Sequence, residues 1–148
     1  MTDMPMDLNL TPQDILALQQ MVYGEETQDT NIMKMIAQSA LNRLKSGKKK
    51  EFGGSMPEIT KKGYYAVSKQ NTPYKQALTQ KFPDITSKVG WGNAKKVVEA
   101  VIGDKDYGQG HQFYFTDKEI EKLKKNKGFD FAKVKARGSQ GNYKLFGY

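Results

Sequence analysis

Cysteine is absent from the 148 residues, and histidine and tryptophan occur once each. Without thiols the fold rests on no disulfide and no thiolate-held metal, and a lone histidine cannot build a histidine-clustered metal site. Metal-free and cofactor-free chemistry is therefore expected. Long apolar runs are missing too: no stretch approaches the length of a membrane-spanning helix. The opening Met1-Thr-Asp-Met-Pro-Met-Asp7 lacks the basic start and apolar core of a secretory signal. A cytoplasmic product without a Sec-type address is expected, so a target outside the membrane would be reached through lysis, a holin or packaging in a particle.

Acidic residues are few against basic ones, 16 Asp and Glu facing 24 Lys and Arg, for a net charge of +8. Such a chain is drawn to polyanions, with nucleic acid, teichoic acid and anionic envelope surfaces all eligible. The lysines of Lys48-Lys49-Lys50, Lys61-Lys62, Lys95-Lys96 and Lys122 to Lys127 are spread rather than gathered in one tail, as on ordinary solvated faces. The length, with 37% hydrophobic residues, suits one compact domain over residues 11–148 behind an N-terminal extension of residues 1–10.

What is present reads as helices first. Thr11-Pro12-Gln13-Asp14 combines a cap residue, a first-turn proline and an early carboxylate, so a helix is expected from Pro12 toward Gly24. Ile15, Leu18, Met21 and Val22 recur at spacings of three and four and define its buried stripe. A second helix is expected from Asp29 or Thr30 to Lys45, with Ile32, Met35, Ile36, Ser39 and Ala40 inward, and the short link makes the two helices neighbours. Residues 48–72 read as a basic excursion with short helical turns. Further helices are expected from Asn71-Thr72-Pro73 to Gln80 and from Trp91 to Ile102.

The C-terminal third changes character. His111 to Phe115 suits a strand, Thr116-Asp-Lys-Glu119 is a capping box opening a polar helix, and Asn126-Lys-Gly128 closes it. Phe129, Phe131 and Val134 then alternate into a turn at Arg137-Gly-Ser-Gln-Gly141 and a last strand over Tyr143 to Phe146, the pattern of a hairpin. The fold class expected is α+β, mainly helical with a small antiparallel sheet.

Glu25 falls on the apolar stripe of the first helix, where a hydrophobic residue is expected. If the helix continues through it, the carboxyl is desolvated, its charged form is disfavoured and its pKa rises, which suits a general acid. If Gly24 ends the helix early, Glu25 points into solvent, and pattern alone leaves both open.

The wording around Glu25 carries a resemblance. Met21-Val-Tyr-Gly-Glu25, followed by Ile36-Ala-Gln-Ser-Ala-Leu-Asn-Arg43, resembles the opening of the SleB-type cell wall hydrolases, a family that includes spore cortex-lytic enzymes. Glu25 matches that family's catalytic glutamate and Leu41-Asn42-Arg43 its Leu-Asn-Arg motif. Gly63-Tyr-Tyr-Ala-Val67, Trp91 to Gly103, Asp106-Tyr-Gly-Gln-Gly-His-Gln-Phe-Tyr114 and Gly141-Asn-Tyr-Lys-Leu-Phe146 are similar to later family segments in the same order. Lys61-Lys62 stands where the family has Gln-Pro, and Tyr143 where it has histidine.

The resemblance implies a lysozyme-like fold that binds the glycan strands of peptidoglycan and cleaves the bond between N-acetylmuramic acid (MurNAc) and N-acetylglucosamine (GlcNAc). It further implies a lytic transglycosylase in which Glu25 acts first as acid and then as base. A muramidase hydrolysing the same bond would need a second carboxylate about 5 to 10 Å away. Glu26, Asp29, Asp104 and Asp106 are the candidates, and none is singled out by its setting.

Sugars present apolar ring faces edged with hydroxyls, so aromatic faces and side chains that both donate and accept are sought as substrate-binding residues. Tyr65, Gln70, Asn71 and Tyr74 supply that mixture after the second helix, and His111, Gln112 and Tyr114 supply it later. Trp91 is expected as a core anchor, while Asn42 and Arg43 fit equally as braces of the active-site corner or as helix-capping and surface residues.

Absence of a leader, small size and basic charge fit a phage lysin or a virion-associated wall enzyme, with phage particle proteins or a holin as partners. A rival of another class is a basic nucleic-acid-binding module, with Lys48 to Lys50, Lys61 and Lys62 on phosphates, but no nucleic-acid motif supports specific binding. A non-catalytic structural virion protein is the third reading.

Overall fold

The structure is a computed structural model, and residues 8–148 are described. Residues 1–7 of the expected N-terminal extension lie outside the described residues; Leu8 and Leu10, from its end, pack against the core.

Helix α1 (Pro12–Glu25) starts where its cap signals lie. The Asp14 amide donates to Thr11 Oγ1 at 3.1 Å and the Thr11 amide donates back to Asp14 Oδ2 at 3.0 Å, a reciprocal capping box. The other Asp14 oxygen accepts from the Met56 amide at 3.1 Å, tying this helix start to a later one. At the far end α1 runs one residue past Gly24, so Glu25 is its last helical residue. Leu18, Met21 and Val22 are fully buried, and Ile15 is half-buried.

Helix α2 (Thr30–Lys45) is capped by Asp29, whose Oδ1 accepts from the Asn31 amide at 2.9 Å. Its expected inward residues are buried, and so are Met33, Ala37 and Leu41 on its other flank. A helix apolar on so much of its circumference is a central one, and α2 packs against α1, later helices and the sheet.

The basic excursion holds α3 (Lys49–Phe52), α4 (Met56–Gly63) and α5 (Tyr65–Ser68), and α6 (Thr72–Thr79) follows. Helix α7 (Ile85–Gly103) begins six residues before the expected Trp91. The Asp84–Ser87 capping box starts it, and its first turns expose Ile85 and Val89, which is why no buried periodicity marks them. Trp91 is buried, edge-on to Tyr23 at 6.0 Å and stacked on Phe82 at 5.9 Å.

Three strands, β1 (Phe113–Thr116), β2 (Lys135–Gln140) and β3 (Tyr143–Gly147), form an antiparallel sheet of order β1-β3-β2. Between β1 and β2 lie α8 (Asp117–Asn126) and a 3₁₀ turn over Phe131–Lys133. The hairpin differs from its expected form. Arg137 to Gln140 belong to β2, with an irregularity between Ala136 and Gly138, and the reversal is the two-residue Gly141-Asn142. Gly141 takes φ 57°, which suits the first position of a tight hairpin turn and is strained for other residues. The architecture is mainly helical with a small antiparallel sheet, as expected for an α+β chain. No helix among the described residues is long and apolar enough to cross a membrane.

Candidate active site

Glu25 ends α1 half-buried, facing the N-terminus of α5 and the edge strand β1. The Ala66 amide, in the first turn of α5, donates to Glu25 Oε2 at 3.1 Å, and the Tyr114 hydroxyl of β1 donates to Oε1 at 3.2 Å. Three distant segments thus meet on one carboxyl group. Desolvation raises the Glu25 pKa above its ordinary value of 4.5, against the lowering effects of the Ala66 and Tyr114 hydrogen bonds and the Arg43 charge. Glu119 adds a weaker upward push.

The two oxygens are not equivalent. An amide N–H only donates, so Oε2 stays an acceptor in either protonation state, whereas a tyrosine hydroxyl can donate or accept. The acidic proton therefore belongs on Oε1, with Tyr114 rotating from donor to acceptor when Glu25 is protonated. Burial beside Glu25 also holds the Tyr114 phenol well above its ordinary range, so it remains a neutral hydroxyl.

The close approach of α5 depends on Gly24. A side-chain Cβ there would lie 2.9 Å from Ala66 Cβ and 3.0 Å from Tyr74 Cβ. The Gly24 carbonyl accepts from Asn71 Nδ2 at 2.8 Å, and Asn71 Oδ1 caps α6 through the Tyr74 amide at 3.0 Å. Gly24→Ala is expected to push α5 and α6 off α1, destabilising the fold by about 1–3 kcal/mol, as measured by urea unfolding. The same shift would draw the Ala66 amide from Glu25.

Beneath the site Arg43 is buried, its guanidinium 4.7 Å from the Tyr64 ring centroid, 5.1 Å from Phe113 and 5.2 Å from Phe52. Its Nε donates to the Gln112 carbonyl at 2.8 Å, and Asn42 Nδ2 donates to the carbonyls of Tyr107 and His111 at 2.9 and 2.8 Å. The Leu41-Asn42-Arg43 end of α2 thus holds the loop that delivers β1, and with it Tyr114. Tyr64 is buried beside Tyr114 at 6.5 Å between centroids and shares a 2.6 Å hydrogen bond with Ser39 Oγ.

The expected site residues divide into three groups. Glu25 and Tyr114 touch, and Asn71 and Tyr74 lie behind Gly24. Tyr65, 69% exposed, heads α5 next to Ala66, and Gln70 is exposed just past that helix with φ 48°. His111 and Gln112 have buried side chains committed to the frame. His111 Nε2 meets the Met35 carbonyl at 2.9 Å, and Gln112 Oε1 accepts from the Tyr148 amide at 3.0 Å.

Three of the four carboxylates considered as a second catalytic group are occupied elsewhere. Glu26 Oε2 accepts from the Gln28 and Asp29 amides at 3.0 and 3.1 Å, and Asp29 caps α2. Asp106 pairs with Lys34 at 2.9 Å, and Asp104, just past α7, lines a surface pocket with Asn31 and Lys34. Glu119, which the sequence marks only as a capping residue, accepts from the Thr116 amide at 2.9 Å. Among the described residues no group of three or more His, Cys, Asp or Glu is placed to hold a metal ion.

Tyr143, standing where the resembling family has histidine, packs edge-on against Tyr114 at 5.5 Å between centroids. Removing the hydroxyl in Tyr114→Phe takes away one stabiliser of the Glu25 carboxylate, so the Glu25 pKa is expected to rise further. Any activity that uses Glu25 as an acid should fall about tenfold, the loss of one hydrogen bond to a charged group, with the basic limb of its pH profile displaced upward. Set against known proteins, the chain matches no family model, no curated protein and no solved structure.

Proposed function

We propose that this protein cleaves the MurNAc–GlcNAc bond of peptidoglycan glycan strands as a lytic transglycosylase of lysozyme-like fold, with Glu25 as the acid and then the base. One observation carries the reading: a carboxyl group ends a buried helical stripe, is desolvated, and is held on both oxygens by Ala66 and Tyr114. Burial favours the protonated acid, and the two donors stabilise the carboxylate left behind.

The steps balance on Glu25 alone. Its Oε1 proton passes to the glycosidic oxygen as the bond from that oxygen to C1 of the muramoyl unit breaks, and the GlcNAc-bearing chain leaves as an alcohol. The Glu25 carboxylate then takes the proton of the muramoyl 6-hydroxyl while O6 bonds to C1, giving a 1,6-anhydro end and restoring the acid. No water is consumed. The engagement of Glu26, Asp29 and Asp106 elsewhere favours this course over a two-carboxylate hydrolysis. Exposed Tyr65, beside the Ala66 amide, is positioned to offer a ring face to the glycan.

Delivery to the wall would follow lysis, a holin or carriage on a phage particle. Purified peptidoglycan incubated with the protein tests the activity: release of soluble glycan fragments with intact stem peptides is expected. Cleaved stem peptides, or no release at all, would overturn it.

A further inference from the structure

A second cavity, of about 290 Å3, opens on another side of α2. Asn31, Lys34 and Gln38, which line it, stand roughly 120° around the helix from Ser39 and Arg43, the residues that α2 turns toward the Glu25 site. Its far wall is Ser139 and Gln140 of β2, and its floor is Met35 and Leu145. The loop before β1 closes it with Gln109 and His111.

The lining is neutral in sum and rich in groups that both donate and accept. Lys34 and Asp106 cancel each other at 2.9 Å, and Gln38 Nε2 donates to Asp106 Oδ1 at 3.1 Å. Among the described residues, the side chains of Asn31, Gln109, Ser139 and Gln140 make no hydrogen bond within the protein. His111, itself buried, stands at the back of this lining. A carbonyl can only accept, so Nε2, 2.9 Å from the Met35 carbonyl, carries the ring proton, and Nδ1 is left as a buried acceptor with no partner. Desolvation lowers the His111 pKa, which keeps the ring in this neutral form.

A neutral ligand bearing hydroxyls and amides answers such a lining, because each hydroxyl can meet a carboxamide or the Ser139 hydroxyl either as donor or as acceptor. The volume lies at the small end of ligand pockets, enough for one or two sugar rings and not for a long strand. We propose that this cavity is a second saccharide site, taking a short N-acetylated sugar at a place separate from Glu25. The choice of an N-acetylated sugar rests on the proposed action on glycan strands; the existence of the site does not.

Because the chain has one histidine, its imidazole nitrogens give unambiguous reporters. In the Glu25→Gln protein, titration with N,N′-diacetylchitobiose followed by long-range nitrogen–proton NMR is expected to move His111 Nδ1 and the side-chain amides of Gln38, Gln109 and Gln140, saturably and together. Gln109→Leu, at an exposed loop position, and Gln140→Leu, at the half-buried end of β2, should each weaken that binding about tenfold, with the unchanged backbone spectrum of each variant showing that the fold is kept. Shifts confined to Ala66, Asn71 and Tyr114, shifts reproduced by equal glycerol, or no saturable shift would overturn the proposal. Loss of glycan cleavage as a function would leave this titration unaffected, so the two readings fail separately.

Discussion

Glu25→Gln is expected to reduce release of soluble glycan from peptidoglycan by about 10²–10⁴-fold, the usual contribution of a positioned general acid and base. The variant should keep its fold, because a carboxamide can still accept the Ala66 amide on one side and meet the Tyr114 hydroxyl on the other. Its stability should carry a pH signature. A carboxyl whose folded pKa is raised binds its proton more tightly in the fold, so stability is full below the ordinary value of 4.5 and falls as pH rises toward the folded pKa. Gln has no such dependence. Thermal unfolding of the two proteins side by side should therefore favour Glu25→Gln increasingly as pH rises above 4.5, and a constant difference would mean that Glu25 is not desolvated.

The second large effect belongs to Arg43. Arg43→Ala removes a buried side chain that touches three aromatic rings and leaves the Gln112 carbonyl without its donor. Lost packing, the lost cation–ring attraction and the orphaned carbonyl together are worth about 3 kcal/mol, or a fall of about 6–12 °C in Tm for a chain of this size. Arg43→Met restores much of the apolar volume and should recover roughly half of that loss. It still lacks the positive charge that lowers the Glu25 pKa. In Arg43→Met the basic limb of the pH–rate profile is therefore expected to move to higher pH, a change that mere loosening of the fold would not produce.

Much of this arrangement is written in local sequence. Thr11 with Asp14, Asp29, and Thr116 with Glu119 are short-range caps, and each starts its helix where the sequence marks it. The stripe through Leu18, Met21 and Val22 extends to Glu25 because α1 continues one residue past Gly24, which decides between the two readings that pattern left open. What local pattern does not carry is the closure of the site. Tyr114 lies 89 residues from Glu25 and Ala66 lies 41 residues away, and the Ala66 contribution is a backbone amide, which any residue type could supply.

His111 shows the same limit. Its aromatic, glycine-rich setting marks it in the sequence as a candidate sugar contact but says nothing of its partner, the Met35 carbonyl, an acceptor with no signature in residue type. The early start of α7 escaped because Ile85 and Val89 face outward, so apolar residues there do not follow the buried period. Gly138 and Gly141 both signal a reversal in the sequence; the turn lies at Gly141-Asn142, and Gly138 marks the irregularity in β2.

The central claim, that Glu25 transfers the proton without water entering the product, is tested most directly by digesting peptidoglycan in ¹⁸O-labelled water and weighing the released muropeptides. The account predicts 1,6-anhydromuramoyl ends that carry no label. Reducing muramic acid ends labelled at C1 would contradict it, and would make the protein a hydrolase that activates water.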